Sequence, residues 1–88
     1  MDPVILQYPV TIEGHPETIT QLTFRRRKAR DVRRVRQGEN DFERGLIALS
    51  CSTDLPLEVI EELDEDDLTI AMERLSDFFE ETASPPNT

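Results

Sequence analysis

Residues 54–68, Asp54-Leu-Pro-Leu-Glu-Val-Ile-Glu-Glu-Leu-Asp-Glu-Asp-Asp-Leu68, decide how this chain folds, because they write two helix starts back to back and join them through an acidic elbow. Pro56 suits the first turn of a short helix, where its missing N–H would have no partner anyway. Val59, Ile60 and Leu63 give that helix one apolar side. Asp64 closes it and caps the next, whose first turn carries Glu65, Asp66 and Asp67, the end of a helix dipole that favours negative charge. Leu68, Ala71, Met72, Leu75, Phe78 and Phe79 then recur at the spacing of one helical face, which predicts an amphipathic helix ending at Phe79. Such a helix gains too little from its own hydrogen bonds to stand alone. It must pack on the rest of the chain or on a partner.

Upstream, Asn40 fits an N-cap with Glu43 three residues on, and Phe42, Leu46, Ile47 and Leu49 form the apolar stripe of a helix over about 41–52. Gly45 inside it weakens the helix by about 1 kcal/mol relative to Ala, which points to the close approach of another backbone. Residues 28–36 place Ala29, Val32 and Val35 at helical spacing, but the like charges of Arg30, Arg33 and Arg34 keep any helix there short. Val4, Leu6, Tyr8, Val10 and Ile12 alternate as one face of a strand, and Pro9 makes it an edge. After the turn Glu13-Gly14-His15-Pro16, residues 17–24 read as the second strand of a hairpin. Ile19 is out of phase with Leu22 and Phe24, so either a bulge near Thr20 resets the register, which is the expectation, or one residue faces outward. The expectation is therefore an α+β fold, an N-terminal β-hairpin followed by three to four short helices, the last one amphipathic. Residues 1–81 form a single small domain, and residues 82–88, with two prolines and no pattern, form a disordered C-terminal tail.

With 88 residues there is room for one domain and a modest core. The net charge of −9 conceals an asymmetry: residues 25–36 hold eight of the ten Lys and Arg against one Asp, whereas residues 54–81 hold twelve Asp and Glu against one Arg. A polyanion would have to approach an acidic majority. One Cys excludes an internal disulfide, and one Cys with one His does not make a usual zinc site. No cofactor is expected, and the reducing cytoplasm is the natural compartment. The longest uncharged run, residues 3–12, is about half a membrane span, so the expectation is a soluble, unprocessed protein without a membrane partner.

The basic patch Arg25, Arg26, Arg27, Lys28, Arg30, Arg33, Arg34 and Arg36 has the density of a nucleic-acid arm. It lacks interleaved aromatics for stacking and any module that would aim it at a groove, so an electrostatic match to the acidic helices, within or between subunits, is the better reading. The elbow Asp64-Glu-Asp-Asp67 lacks the ligand spacing of a calcium loop, and a cap with its dipole accounts for it. His15 reads as a turn residue and Cys51 as a small apolar side chain. No nucleophile, base or phosphate loop is available for an enzyme. Leu68, Met72, Leu75, Phe78 and Phe79 remain as a stripe able to serve as core and as a partner-binding surface.

In the order hairpin, basic stretch, capped helix and terminal amphipathic helix, the chain resembles the tail assembly chaperones of contractile-tailed, Mu-like bacteriophages and prophages. The likeness spans residues 4–79 and rests on Pro9, Ile12, Gly14, Leu22-Thr23-Phe24-Arg25, Asp31 and the motif Leu55, Pro56, Val59, Ile60, Leu63, Asp64 and Asp67. The arginine run is denser than the family pattern. What the resemblance implies is a non-enzymatic protein in the cytoplasm of the bacterial host that keeps the phage tape measure protein soluble while tail tube subunits polymerise around it. It then departs, so it is not expected in the finished virion. A homo-oligomer is compatible with this role. A small nucleic-acid-binding regulator using residues 25–36 is the alternative. In related systems a frameshift yields an extended product, which the tail after Phe79 would accept.

Overall fold

The computed structural model describes the backbone of residues 3–14 and 16–83, with side chains placed through Phe78. The order is β1 (Val4–Val10), β2 (Ile19–Leu22), α1 (Ala29–Val35), α2 (Asp41–Thr53), α3 (Leu57–Glu61) and α4 (Glu65–Ala83). A two-stranded antiparallel hairpin followed by four helices makes the α+β arrangement read from the sequence. The core gathers Val4, Leu6, Val10 and Leu22 from the hairpin, Ala48 and Leu49 from α2, Val59, Ile60 and Leu63 from α3 and its exit, and Ala71 and Leu75 from α4. α4 lies against both β1 and α2, which gives the hairpin the cover that two strands in water need.

The irregularity in the hairpin falls at Thr20, where it is expected, but the extra residues are in β1 opposite it. Val4 pairs with Leu22, Ile5 with Gln21 and Val10 with Ile19, so residues 6–9 stand opposite Thr20 alone. This excess breaks the alternation read for β1: Val4, Leu6 and Val10 are buried, but Tyr8 is 54% exposed. Pro9, which has no N–H to contribute, lies inside the interrupted stretch. Ile19 and Phe24 both pack on the core, so the phase mismatch in the second strand needs no outward-facing residue there. The observed strands are also shorter than read, ending at Val10 and starting at Ile19. Gly14 takes a left-handed φ of 86° in the connecting turn, and the Thr11 and Thr18 hydroxyls meet at 3.0 Å across it. His15 lies outside the described residues.

The amides released by the bulge are not left bare. Asp67 reaches them from the first turn of α4: Gln7 N–H donates to Oδ1 at 3.0 Å and Tyr8 N–H to Oδ2 at 2.9 Å. Asp67 is 1% exposed, a buried carboxylate with both oxygens occupied. Read from sequence, this residue is a helix-dipole partner; in the fold it also joins chain segments about 60 residues apart.

The elbow behaves as its residues dictate. Asn40 Oδ1 accepts from Glu43 N–H at 2.9 Å, while Glu43 Oε2 accepts from Glu39 N–H rather than from Asn40. Thus α2 starts as expected, with the return bond one residue earlier. α2 ends where Asp54 turns left-handed at φ 57°, with the Ser50 hydroxyl donating to the Leu55 carbonyl at 2.6 Å. Pro56 is the N-cap of α3, one residue ahead of the first turn assigned to it. Asp64 Oδ2 accepts from Asp66 N–H at 3.0 Å and so caps α4. α4 runs on to Ala83, past Phe79, and takes in two residues read as tail; residues 84–88 lie outside the described residues.

Gly45 faces the Met72 side chain rather than another backbone. A Cβ there would lie 2.9 Å from the Met72 methyl, whereas a Cβ on Gly38 would lie 2.8 and 2.9 Å from Arg44 Cγ and the Arg44 backbone nitrogen. The methyl ends a flexible thioether and can move aside; the helix backbone cannot. Gly45→Ala should therefore raise stability by up to about 1 kcal/mol through helix propensity, and Gly38→Ala should lower it, both read from urea midpoints. Two midpoints moving in the same direction would refute the distinction. Asp67→Ala should cost about 2 kcal/mol through its two lost charge-assisted bonds, with Gln7 and Tyr8 amides exchanging faster than Ile5. Unchanged exchange at those two amides would show that the clamp does not operate in solution.

Candidate functional site

The basic segment divides into an anchored start and an exposed remainder. Arg25 leaves β2 with its N–H bonded to the Ser52 carbonyl at 2.7 Å, which places its side chain between two acids. Nη1 lies 3.0 Å from Asp31 Oδ2 and Nε lies 2.9 Å from Asp54 Oδ1. Asp31, 2% exposed, also accepts from Lys28 N–H at 2.8 Å, which caps α1 at its third residue. The Arg25 guanidinium and then the Lys28 amide hold the Asp31 carboxyl at about 2, below its ordinary 3.8. The hydrogen bonds from Asp31 and Asp54 in turn raise the Arg25 guanidinium above its usual value.

One arginine of the patch is therefore a structural tie between β2, α1 and the end of α2. This tie meets the expected match to the acidic region at its first residue, Asp54. Arg27 is half-buried, and desolvation pulls its guanidinium down. Arg26, Lys28, Arg30, Arg33, Arg34 and Arg36 are exposed, and among the described residues none of these six is ion-paired with an acidic side chain. Val32, read as an apolar contact of α1, is 42% exposed among them, because α1 buries Asp31 instead.

The α4 stripe is largely committed to the core. Leu75 is 7% exposed, and Leu68 and Met72 pack against the core at partial burial. Phe78 tilts against Phe24 with ring centroids 6.3 Å apart and planes at 43°. The Phe79 side chain lies outside the described residues. Leu75→Asp would accordingly put a charge into the core, and its effect on any partner would be confounded with unfolding. The motif residues are likewise structural: Val59 and Ile60 are fully buried, Leu63 is buried, Leu55 packs on the core, and Pro56, Asp64 and Asp67 are the caps and clamp already described. Cys51 is 2% exposed and burial pushes its thiol up, in keeping with an apolar packing role.

The large apolar side chains left in solvent lie elsewhere: Ile5 at 67%, Tyr8 at 54%, Phe42 at 62% and Ile70 at 39%. Phe42 is placed in the α2 stripe by its spacing, yet it stands out of the core. With Leu46, Ile47 and Leu57 it lines an open groove of about 520 Å3 between the start of α2 and α3. No sequence signal separates it from a core position, since Leu46 and Leu49 share its face of α2. A family model described as phage tail assembly chaperone proteins, E, or 41 or 14, matches residues 4–80. The chain belongs to that family. The match takes in the hairpin, the basic segment and α2–α3 whole, and α4 as far as residue 80, so the family's shared unit is this α+β domain rather than one motif. No curated protein and no solved structure matches the chain significantly. Among the described residues no helix of this tail assembly chaperone is long and apolar enough to cross a membrane, and no group of three His, Cys, Asp or Glu is arranged to hold a metal ion.

The Asp31 tie makes a pH prediction. Its carboxyl is depressed in the folded state, so its contribution is complete above its unfolded value and is lost as pH falls toward about 2. The stability gap between the wild-type chain and Asp31→Asn should therefore narrow between about pH 4 and pH 2, where other carboxylates titrate alike in both. Urea melts at successive pH values would show this. A gap of constant size down to pH 2 would mean that Asp31 is not held by Arg25.

Proposed function

We propose that this tail assembly chaperone binds the tape measure protein and keeps it soluble during assembly of a contractile phage tail, acting in the host cytoplasm without catalysis and leaving before the virion is complete. The observation that carries this reading is the family match across residues 4–80. Physical chemistry supports it in two ways. A net charge of −9 on a small domain keeps a coated client dispersed by mutual repulsion. Phe42, Tyr8, Ile5 and Ile70, standing in solvent, offer apolar contact without requiring the core to open. Tail tube subunits are a second class of partner consistent with the same role.

The runner-up is nucleic-acid binding through the six exposed cations of residues 25–36. It differs in its response to salt: six phosphate contacts would weaken about a thousandfold between about 50 and 200 mM salt, whereas apolar capture of a client persists. Co-expression with the tape measure protein of the same phage or prophage should raise that protein's soluble fraction severalfold and recover the two together at about 200 mM salt. If the client stays insoluble and nothing co-purifies, the chaperone reading fails.

A further inference from the structure

Phe42 and its neighbours make the one apolar groove among the described hollows that also has a charged boundary of a single sign. Its floor is Phe42, Leu46, Ile47 and Leu57, contributed by α2 and α3. Glu39, Glu43 and Glu61 stand along its edge, and no Lys or Arg lines it. Glu61 also lines a second hollow of about 390 Å3, with Thr11, Ile12, Glu13, Glu58 and Glu62. The two hollows share Glu61, and the second adds the carboxylates of Glu13, Glu58 and Glu62. Phe42, 62% exposed at the first turn of α2, offers this groove a large apolar surface that the core does not use.

We propose that this groove docks an amphipathic helix of the client whose apolar face ends in a cluster of Lys or Arg. This rests on the chaperone reading and names the surface that serves it. A helix seated there places side chains at i, i+3/i+4 and i+7 over Phe42, Leu46 and Leu57, as in other helix-in-groove complexes. Its cationic end lies over Glu58, Glu61 and Glu62, where opposite charge sets the direction of the helix as well as its approach. An acidic or neutral helix meets only repulsion or unpaired carboxylates at that end, so the groove selects by charge as well as by shape. The same chain's own α1, cationic and bearing the exposed Val32, is the competing occupant, which would make the surface an interface between copies.

The test uses the full chain with two probes. The first is a synthetic amphipathic helix of about 20 residues, apolar on one face with a Lys cluster at one end, titrated by fluorescence anisotropy beside an isomer carrying Glu in place of Lys. The Lys helix should bind at least about tenfold more tightly than the Glu isomer, and Phe42→Asp and Glu61→Lys should each weaken it about tenfold, a change of about 1.4 kcal/mol. The second probe is the co-expressed tape measure protein, whose rescue should fall with folded Phe42→Asp. Since Phe42 is exposed, that variant should keep the wild-type melting temperature. If it unfolds, Phe42→Ser serves in its place. Equal binding of both helices, or rescue undiminished in the folded variant, overturns the groove while leaving the chaperone reading intact. Loss of a self-associated species in Phe42→Asp, seen by sedimentation, overturns it in favour of a second copy. If the wild-type chain rescues nothing, the chaperone reading fails and the peptide titration alone decides the groove.

Discussion

Two backbone amides with no strand partner set the terms for this fold. Residues 6–9 of β1 face a single residue of β2, and the amides of Gln7 and Tyr8 turn to the Asp67 carboxylate. A buried carboxylate is tolerable only when its oxygens are satisfied, and the two amides, left without a strand acceptor, satisfy both oxygens of Asp67. The bond has a geometric consequence. It fixes the first turn of α4 on β1, and the helix also packs against α2, with Ala71 and Leu75 buried.

A second buried carboxylate, Asp31, plays the matching part for α1. Asp31 gathers the Lys28 amide and the Arg25 side chain, and Arg25 extends to Asp54 at the left-handed end of α2. Asp54 occupies a backbone conformation that ordinarily favours glycine, and its short side chain gains an ion pair there. The hairpin exit, α1 and the α2–α3 elbow are thereby tied without a large apolar contribution from α1. This suits an 88-residue chain whose core has few side chains to spare. It also changes the meaning of the arginine run: its first member is scaffold, and only the exposed remainder is available to meet another molecule.

The two interactions leave the surface with a division of labour. Aliphatic residues of α3 and the inner face of α4 are consumed in the core, while Phe42 and the carboxylates beside it are left facing solvent. A chaperone that captures a client by apolar contact, as proposed, needs contact that does not cost it its own fold. Side chains already in water meet that requirement better than a stripe whose release would open the core. On the groove proposal, partner contact lies on the α2–α3 side rather than on the α4 stripe that periodicity suggested.

Local chemistry, read from the sequence alone, determined the hairpin with Gly14 at its turn, the Asn40 cap and α2, the elbow with Asp64 as a cap, and the face of α4 that packs inward. Each depends on neighbours within a few residues, where spacing and side-chain type are decisive. Tertiary structure alone decided what depends on distant partners. It placed the bulge in β1, because the competing acceptor is 60 residues away on Asp67. It turned Val32 outward, because Asp31 is buried in its stead with Arg25 for company. It left Phe42 in solvent although Phe42, Leu46 and Leu49 share one periodic stripe, since periodicity identifies a face but only the packing of α3 and α4 determines how much of that face is covered.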